Sequence, residues 1–341
     1  MSAERIVEIA SDGRHLAVDR GFMTVSERGT EIARIPLDDI ASVIGNAHGL
    51  TWSNNLLVQL AKRNAALVIC GPNHNPVAFL WAVEGFHQQA SRMDAQLAAT
   101  GPKGKQIWKQ VVQAKIAQQA GVLEAVGSPD APLNALVPKV RSGDPDNIEA
   151  QAARRYWQLL FGSSFRRDRD AAGVNSLLNY GYMILRSSVA RATLGAGLHP
   201  GIPLHHKNAN NPMRLADDLM EPFRPVVDFA VFHLLRNGMD TVTPETKRIL
   251  AGLPETEIAV ETGMTALRTG IQNAATSLAL VYEGSRDKLD LPLPRPPLWQ
   301  AAPFLGPQDA TIQRAQADVD DGNVRPACGH HGGEEESDGF P

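Results

Sequence analysis

The sequence has few cysteines and no long uncharged apolar run. Its two cysteines are Cys70, in an apolar segment, and Cys328, in a polar stretch. This usage favours a reducing compartment without structural disulfides. Apolar runs such as 65–70 and 226–235 are interrupted well before the roughly 20 residues that a membrane-spanning helix needs. The N-terminus carries acids early and lacks the apolar core of a secretory signal, so we expect a cytoplasmic protein with no membrane partner.

Several catalytic and nucleotide-binding motifs are also missing. The sequence contains neither a GxxxxGK[ST] loop nor a GxGxxG turn, so nothing in it indicates a nucleotide cradle. No serine lies in a GxSxG elbow, and Cys70 lies in a predicted buried strand. No segment repeats with a period of 20 to 50 residues. The sequence therefore gives no support to serine or cysteine hydrolase chemistry or to a repeat architecture.

The net charge of −4 hides an uneven distribution along the chain. Residues 309–341 contain eight acids and two bases, which leaves the rest of the chain mildly basic. Residues 150–191 contain seven arginines and only two aspartates. Such a basic stretch fits either solvated helix faces or a surface that holds phosphates.

Periodicity divides the chain into a β-rich part and a helical part, which predicts an α+β fold. Short alternating segments separated by turn residues predict a sandwich-like β domain over residues 1–85. From residue 86 to 296 the apolar residues recur at helical spacing. Residues 297–341, rich in proline and acids, are predicted to be a disordered tail. The predicted strands are 5–9, 15–19, 21–27, 31–37, 40–45, 66–71 and 76–83, and the predicted helices are 54–65, 86–100, 104–126, 148–162, 173–197 and 214–238.

The stretch 205–225 brings imidazoles and carboxylates together. Asp218 and Glu221 are three residues apart in a predicted helix, so their side chains emerge on one face. A solvated helix face is the usual meaning of such a pair. Here His205 and His206 lie just upstream, and the helix is apolar around its acids, which suggests buried carboxylates in need of a partner. That partner is either a metal ion or a basic side chain, for which the candidates are Lys207, Arg214 and Arg224.

A third metal ligand would have to come from another segment, and Glu149 is the best candidate. It stands at the start of a predicted helix that Asp146 or Asn147 could cap, where the helix dipole favours its charge. A set of carboxylates with one imidazole suits Mg²⁺ or Mn²⁺ better than structural zinc. Such a site can polarise a phosphodiester and activate an attacking oxygen. The arginines that could hold phosphates beside it are Arg154, Arg155, Arg166 and Arg167.

Three stretches, in this order along the chain, resemble motifs of the CRISPR-associated integrase (Cas1) family in the form found in type II systems. They are NIEAQAARRYWQLLFG, DAAGVNSLLNYGYMILRSSVARATLGAGLHPGI and LHHKNANNPMRLADDLMEPFRPVVD. The first is similar to the glutamate-helix motif of the family, the second to its asparagine-rich helix, and the third to its histidine and acid-pair motif. The resemblance covers nearly the whole chain.

The resemblance implies a β-rich domain that forms a homodimer and a helical catalytic domain with a divalent-metal site. It assigns Glu149, His206 and Glu221 as catalytic metal ligands, with Asp218 beside them and His205 as an alternate ligand. His206 is preferred because twelve positions separate it from Asp218, as in the family. The implied cofactor is Mg²⁺ or Mn²⁺.

The implied reaction joins a captured DNA fragment to a CRISPR array by attack of a 3′-hydroxyl on a phosphodiester. The implied partners are DNA and the small ferredoxin-like protein Cas2. Two alternatives from the residues stay open, a stand-alone metal-dependent nuclease for branched DNA and a non-catalytic DNA-binding scaffold. A di-metal oxidoreductase would need two Glu-x-x-His pairs, and only Glu84 with His87 has that spacing.

Overall fold

The computed structural model describes residues 5–63, 65–71, 76–80, 82, 89–99 and 101–295. The predicted tail 297–341 and the predicted domain boundary between residues 85 and 86 lie outside the described residues. Both therefore stay predictions. Cys328 also lies outside them, whereas Cys70 is a buried free thiol.

Eight strands within the described N-terminal residues form two four-stranded sheets. One sheet has the order β1-β5-β7-β8, parallel except for its last pair, and the other has the order β4-β3-β2-β6, antiparallel except for its last pair. Every strand that the alternation predicts is present, and these sheets followed by helices confirm the α+β fold class. The strand bounds are β1 Arg5–Ile9, β2 Arg14–Asp19, β3 Phe22–Glu27, β4 Thr30–Pro36, β5 Ile40–Gly45, β6 Thr51–Trp52, β7 Ala66–Cys70 and β8 Pro76–Leu80.

Two tight hairpins set the register of the antiparallel sheet. The pairs Arg20-Gly21 and Arg28-Gly29 connect β2 to β3 and β3 to β4, and all four residues have positive φ angles. Two-residue hairpin loops with positive φ at both positions match the right-handed twist of the strands. Helix α1, Asn54–Lys62, is capped by Ser53, whose side chain accepts the N–H of Leu56.

Two apolar cores lie within the described residues. The smaller core joins the sheets to α1 and includes the fully buried Leu16, Met23 and Leu56. The larger core fills the helical part and also includes Ile44 and Val68 from the sheet β1-β5-β7-β8. One face of that sheet therefore packs on the helices.

The helical part brings α3 (Gly101–Ala125), α5 (Ile148–Phe161) and α7 (Arg214–Met220) to the candidate site. The helices that the periodicity predicts from residue 86 to 197 are present with shifted ends. Their bounds, with one short helix that was not predicted, are α2 Gln89–Ala98, α3 Gly101–Ala125, α4 Ala131–Asn134, α5 Ile148–Phe161 and α6 Val174–Gly195.

The prediction of one continuous helix over 214–238 is wrong. The segment consists of α7, Arg214–Met220, a single 3-10 turn, Glu221–Phe223, and α8, Arg224–Arg236. Pro222 lacks an N–H group and cannot make the helical hydrogen bond at its position, so the α-helical ladder is interrupted there. The interruption places Glu221 at the junction of the two helices.

The elements from residue 244 onward were not predicted. They are α9, Pro244–Ala251, the hairpin β9, Glu257–Val260, with β10, Gly263–Ala266, and α10, Leu267–Glu283. Helix α10 packs against α6 and completes the larger core.

One partly buried carboxylate, that of Glu8, connects the two parts of the chain. Glu8 of β1 accepts hydrogen bonds from Tyr180 of α6 and from Asn46, and the ammonium of Lys247 in α9 lies 3.4 Å from it. In the described part of the chain, no helix is both long enough and apolar enough to cross a membrane.

Candidate metal centre

Glu149 is the second residue of α5, and the preceding residues fix where that helix begins. The side chain of Asn147 accepts the N–H of Ala150, and Asp144 accepts the N–H groups of Ile148 and Glu149, each at 2.9 Å. Asn147 and Asp144 both have positive φ angles, 51° and 49°. These caps pair N–H groups that a helix leaves free at its start. They hold the backbone of Glu149 at the positive end of the helix dipole.

Glu221 lies where α7 ends and the 3-10 turn begins, and it is only 6% exposed. The Nε atom of Arg224 lies 2.9 Å from its Oε1, and the Nζ atom of Lys115 lies 2.6 Å from its Oε2. Burial opposes ionisation, but these two cations lower the pKa of Glu221. Glu221 is thus a buried carboxylate that stays charged.

The ammonium of Lys115 lies between the two predicted carboxylate ligands. Its Nζ is 2.5 Å from Oε1 of Glu149 and 2.6 Å from Oε2 of Glu221. Burial opposes the ammonium charge, but Glu221 and Glu149 raise the pKa of Lys115. Oε2 of Glu221 is nevertheless buried without a correctly oriented hydrogen-bond donor. That oxygen therefore has the ammonium of Lys115 as a close ionic partner, but in poor hydrogen-bond geometry.

Asp218 holds the loop that carries the histidines. It is fully buried in α7, and its Oδ2 accepts the N–H groups of Leu204 and His205, each at 2.8 Å. Its Oδ1 lies 2.5 Å from Nδ1 of His206 and 3.4 Å from the N–H of the same residue. These four contacts use the acceptor capacity of the carboxylate. The contact with Nδ1 leaves Nε2 of His206 as the ring nitrogen that can bind another group.

The two histidines have different surroundings. The His206 side chain is half exposed, and its hydrogen bond to Asp218 raises its pKa, with smaller contributions from Glu149 and Glu221. The ring of His205 stacks on the fully buried Trp108, with 4.4 Å between centroids and 2° between planes. Partial burial, followed by the charge of His206, lowers the pKa of His205.

Asp217 belongs to a separate ion pair. Both of its carboxylate oxygens accept from Arg186 of α6, at 2.6 and 3.0 Å, and Nδ2 of Asn211 donates to it at 2.6 Å. The pair therefore connects α7 to α6. The neighbouring acids at 217 and 218 point to different partners.

The arginines predicted to hold phosphates differ in how accessible they are. Arg154 and Arg155 are exposed on α5, and Arg166 is exposed on the loop 162–173. Arg167 is partly buried and donates to Asn175 at 3.0 Å and Asn179 at 2.6 Å. The same two asparagines of α6 donate to backbone carbonyls of the loop. The asparagine-rich motif therefore fixes the conformation of the arginine-rich loop.

A cavity of about 690 Å³ opens beside the histidines. Its described lining includes both histidines, the exposed Lys105 near the start of α3, the exposed Lys207, and the backbone of Gly104 and Gly143. Two lysines and a helix N-terminus give this cavity a positive character.

The residues present fit a divalent cation. The buried carboxylate of Glu221 and the partly buried carboxylate of Glu149 face one cation, and the geometry at Oε2 of Glu221 is poor for a hydrogen bond. One imidazole nitrogen next to them is free to act as a ligand. Oxygen ligands with a single nitrogen suit Mg²⁺ or Mn²⁺. With Lys115 between the carboxylates, no group of three or more His, Cys, Asp or Glu side chains is close enough for a metal site among the described residues.

Sequence reasoning did not identify three residues that organise this centre, Lys115, Trp108 and Asp144. Lys115 and Trp108 lie on α3, whose apolar periodicity predicts a helix but not which distant groups its polar side chains meet. Asp144 caps α5 in addition to the expected Asn147. Of the candidate cations at 207, 214 and 224, only Arg224 contacts Glu221. Asp228 was also not identified, although it accepts from Tyr156 and Tyr182 inside the core.

Comparison with known proteins gives one consistent result. The family model described as CRISPR associated protein Cas1 matches residues 7–248. A relative named CRISPR-associated endonuclease Cas1, from Neisseria meningitidis serogroup C, is 34% identical over 83% of this chain and 94% of its own length. A relative from Pyrobaculum aerophilum, named CRISPR-associated endonuclease Cas1 2, is 28% identical over 67% of this chain and 82% of its own length.

Solved structures share the fold. A casposase bound to integration product has a TM-score of 0.72 at 19% identity and covers 93% of this chain and 99% of its own. A CAS1 protein from Thermotoga maritima has a TM-score of 0.64 at 15% identity and covers 82% of this chain and 97% of its own. The matched family model extends over more than two thirds of the sequence and includes all three ligand candidates. The chain therefore belongs to the CRISPR-associated Cas1 family.

Proposed function

We propose that the protein is a metal-dependent DNA integrase that inserts captured DNA fragments into a CRISPR array. The 3′-hydroxyl oxygen of the fragment forms a bond to a target phosphorus, and the bond from that phosphorus to the 3′-oxygen of the leader strand breaks. A second attack follows at the far end of the repeat. The observation that carries the proposal is the pair of carboxylates, the partly buried Glu149 and the buried Glu221, facing one cation beside His206.

The comparisons support this reaction class. The relatives from Neisseria and Pyrobaculum are named endonucleases, and cleavage and strand joining both transfer a phosphodiester. One structural neighbour is a casposase bound to integration product, and another is a Cas6-RT-Cas1–Cas2 complex. Integration of DNA into an array is the activity that agrees best with all of these relatives and neighbours.

The metal would be Mg²⁺ or Mn²⁺, held by Glu149, His206 and Glu221. When bound, it would polarise the target phosphodiester and stabilise the charge that develops on it. Asp218 acts through His206, because its contact with Nδ1 orients the ring and leaves Nε2 free, an arrangement common among metal-binding histidines. The same contacts saturate Asp218, so we prefer a positioning role to direct ligation. The stacking of His205 on Trp108 favours a packing role for that ring.

The DNA would contact the exposed arginines and the cavity beside the histidines. Arg154, Arg155 and Arg166 can pair with phosphates, whereas Arg167 serves mainly to hold the loop in place. Lys105 and Lys207 can hold a strand whose phosphate reaches His206. Affinity for DNA should then fall steeply with salt, because each phosphate contact releases counterions. A flat salt response would contradict this part of the proposal.

The partners would be a second copy of the chain, through the β-rich domain, and Cas2. Two structural neighbours are Cas6-RT-Cas1–Cas2 complexes, which supports such an assembly. The compartment would be the cytoplasm, where CRISPR arrays and reduced thiols coexist. Chromatography with light scattering, with and without Cas2, measures both associations.

An integration assay tests the function. A short duplex with free 3′-hydroxyl ends is incubated with a supercoiled array plasmid, Cas2 and the protein, in Mg²⁺, Mn²⁺ or chelator. We expect strand joining at the leader-repeat boundary that needs the metal and is lost in Glu149→Ala and His206→Ala, while His205→Ala retains part of it. Cleavage of branched DNA without joining would instead support the stand-alone nuclease, and full activity of Glu149→Ala would support the scaffold.

A further inference from the structure

The position of Lys115 raises the question of what happens to it when a metal ion arrives. Its Nζ atom lies within 2.6 Å of one oxygen from each predicted carboxylate ligand. Mg²⁺ bonds to carboxylate oxygens at about 2.1 Å. An ion bonded to the same two oxygens would therefore need the space that the ammonium fills. The lysine and the metal cannot both lie between Glu149 and Glu221.

The contacts of Lys115 are those of a replaceable cation. Its ammonium does not provide Oε2 of Glu221 with a well-oriented hydrogen bond. Arg224 also pairs with Glu221, so that carboxylate keeps a counter-charge after the lysine leaves. The side chains of Lys115 and Glu149 are 12% and 18% exposed, so this edge of the centre is not completely closed to solvent. A lysine has a flexible stem and a compact charge, so it can withdraw without rearranging its helix.

We propose that Lys115 is the internal counter-ion of the metal-free centre, which a divalent cation displaces from between Glu149 and Glu221. This inference rests on the proposed metal-dependent function. In the metal-free protein, the ammonium keeps the carboxylates of Glu149 and Glu221, which would otherwise repel each other, close together. The ligands are thereby assembled in advance, and the affinity for the metal is reduced because the ion must compete with the ammonium.

Removal of the ammonium should change stability and metal affinity in opposite directions. A neutral side chain at position 115 leaves Glu149 and Glu221 facing each other without the shared cation, so the metal-free protein should melt at a lower temperature. The same uncompensated charge should attract a divalent ion more strongly. A lysine whose charge opposes the metal predicts tighter binding on its removal. A lysine that merely supports the fold predicts unchanged or weaker binding.

The experiment measures Mn²⁺ binding to the chelator-treated full-length protein by electron paramagnetic resonance of the free ion. It also measures the midpoint temperature of thermal unfolding with and without Mn²⁺. The variants are Lys115→Met and Lys115→Gln. The glutamine variant is included in case the methionine variant does not fold, because its amide can still donate a hydrogen bond to a carboxylate. The matched control is Lys109→Met, which removes the same charge from the same helix. In the described part of the chain, no ion pair joins Lys109 to a candidate ligand.

We expect the dissociation constant for Mn²⁺ to fall about ten-fold or more in both Lys115 variants, since a unit charge a few ångströms away is removed. In the absence of metal, the unfolding midpoint temperature of these variants should be lower than that of the wild type. The rise in this temperature on adding Mn²⁺ should be larger in the variants than in the wild type and the control. Equal or weaker binding by the variants, with normal binding by the wild type, would overturn the inference and leave the proposed function intact. If neither the wild type nor the variants bind Mn²⁺, both proposals fail.

Discussion

The substitution Asp218→Asn tests whether this carboxylate orients His206 or binds the metal itself. Asp218 is fully buried and accepts from three backbone N–H groups and from the ring of His206. An asparagine keeps one acceptor oxygen and replaces the other with a donor, so two of the four donors lose their acceptor. Each lost hydrogen bond to a charged group costs roughly 1.5–3 kcal/mol. We expect the metal-free variant to lose about 3 kcal/mol or more of unfolding free energy.

The sign of that change separates the two roles. If Asp218 were mainly a metal ligand, its neutralisation would relieve repulsion in the metal-free site, and the variant would be as stable as the wild type or more so. If it positions His206, the metal-free variant is destabilised and its affinity for Mn²⁺ falls by about 10- to 100-fold.

The assay is urea unfolding in chelator, followed by Mn²⁺ titration. Asp217→Asn is the matched control, because it makes the same chemical change at the adjacent residue. That variant breaks the pair with Arg186 but should keep wild-type Mn²⁺ affinity. A metal-free Asp218→Asn protein of wild-type stability would refute the positioning role.

Three further substitutions test other parts of the account. Burial raises the pKa of Asp228 from 3.8 to about 7, so its proton is retained on folding and the stabilisation present at low pH is lost as pH rises from about 4 to 7. The unfolding free energy of the wild type relative to Asp228→Asn should therefore increase by about 2–3 kcal/mol between pH 8 and pH 5, and a constant difference would contradict the assignment. In Gly181→Ala, the added methyl group would overlap the side chain of Val227. Urea unfolding should therefore show that the unfolding free energy falls by about 1–3 kcal/mol. A fall below about 0.5 kcal/mol would contradict the close approach of α6 and α8. Asp144→Asn keeps the preference for positive φ but removes one acceptor from the start of α5. We expect the unfolding free energy to fall by about 1 kcal/mol and the affinity for Mn²⁺ to weaken. Unchanged Mn²⁺ affinity would show that the cap does not position Glu149.

The sequence predicts the elements because their signals are local. Alternating residues such as those of 14–19 and turn pairs such as Arg28-Gly29 identify strands and hairpins. The signal for α9 is also local, because Thr243 caps the helix and Pro244 occupies its first position, although this helix was not predicted. The two prolines at 222 and 225 likewise signalled the break after α7.

The contacts of the candidate centre could not be predicted in the same way. Lys115 is 34 residues from Glu149, and nothing in the helical pattern of α3 selects it over its neighbouring lysines. The partners of Asp218 are mostly backbone N–H groups, which have no sequence signature. Periodicity predicts which face of a helix is buried, but the packing of α3, α5 and α7 decides which polar groups meet.

The most direct test of the central claim is a crystal structure of the protein soaked in Mn²⁺, with anomalous scattering recorded at the manganese edge. We expect one strong peak bonded to Glu149, Glu221 and Nε2 of His206, with Lys115 withdrawn from between the carboxylates. A peak elsewhere, or no peak at a concentration of Mn²⁺ that supports strand joining, would contradict it.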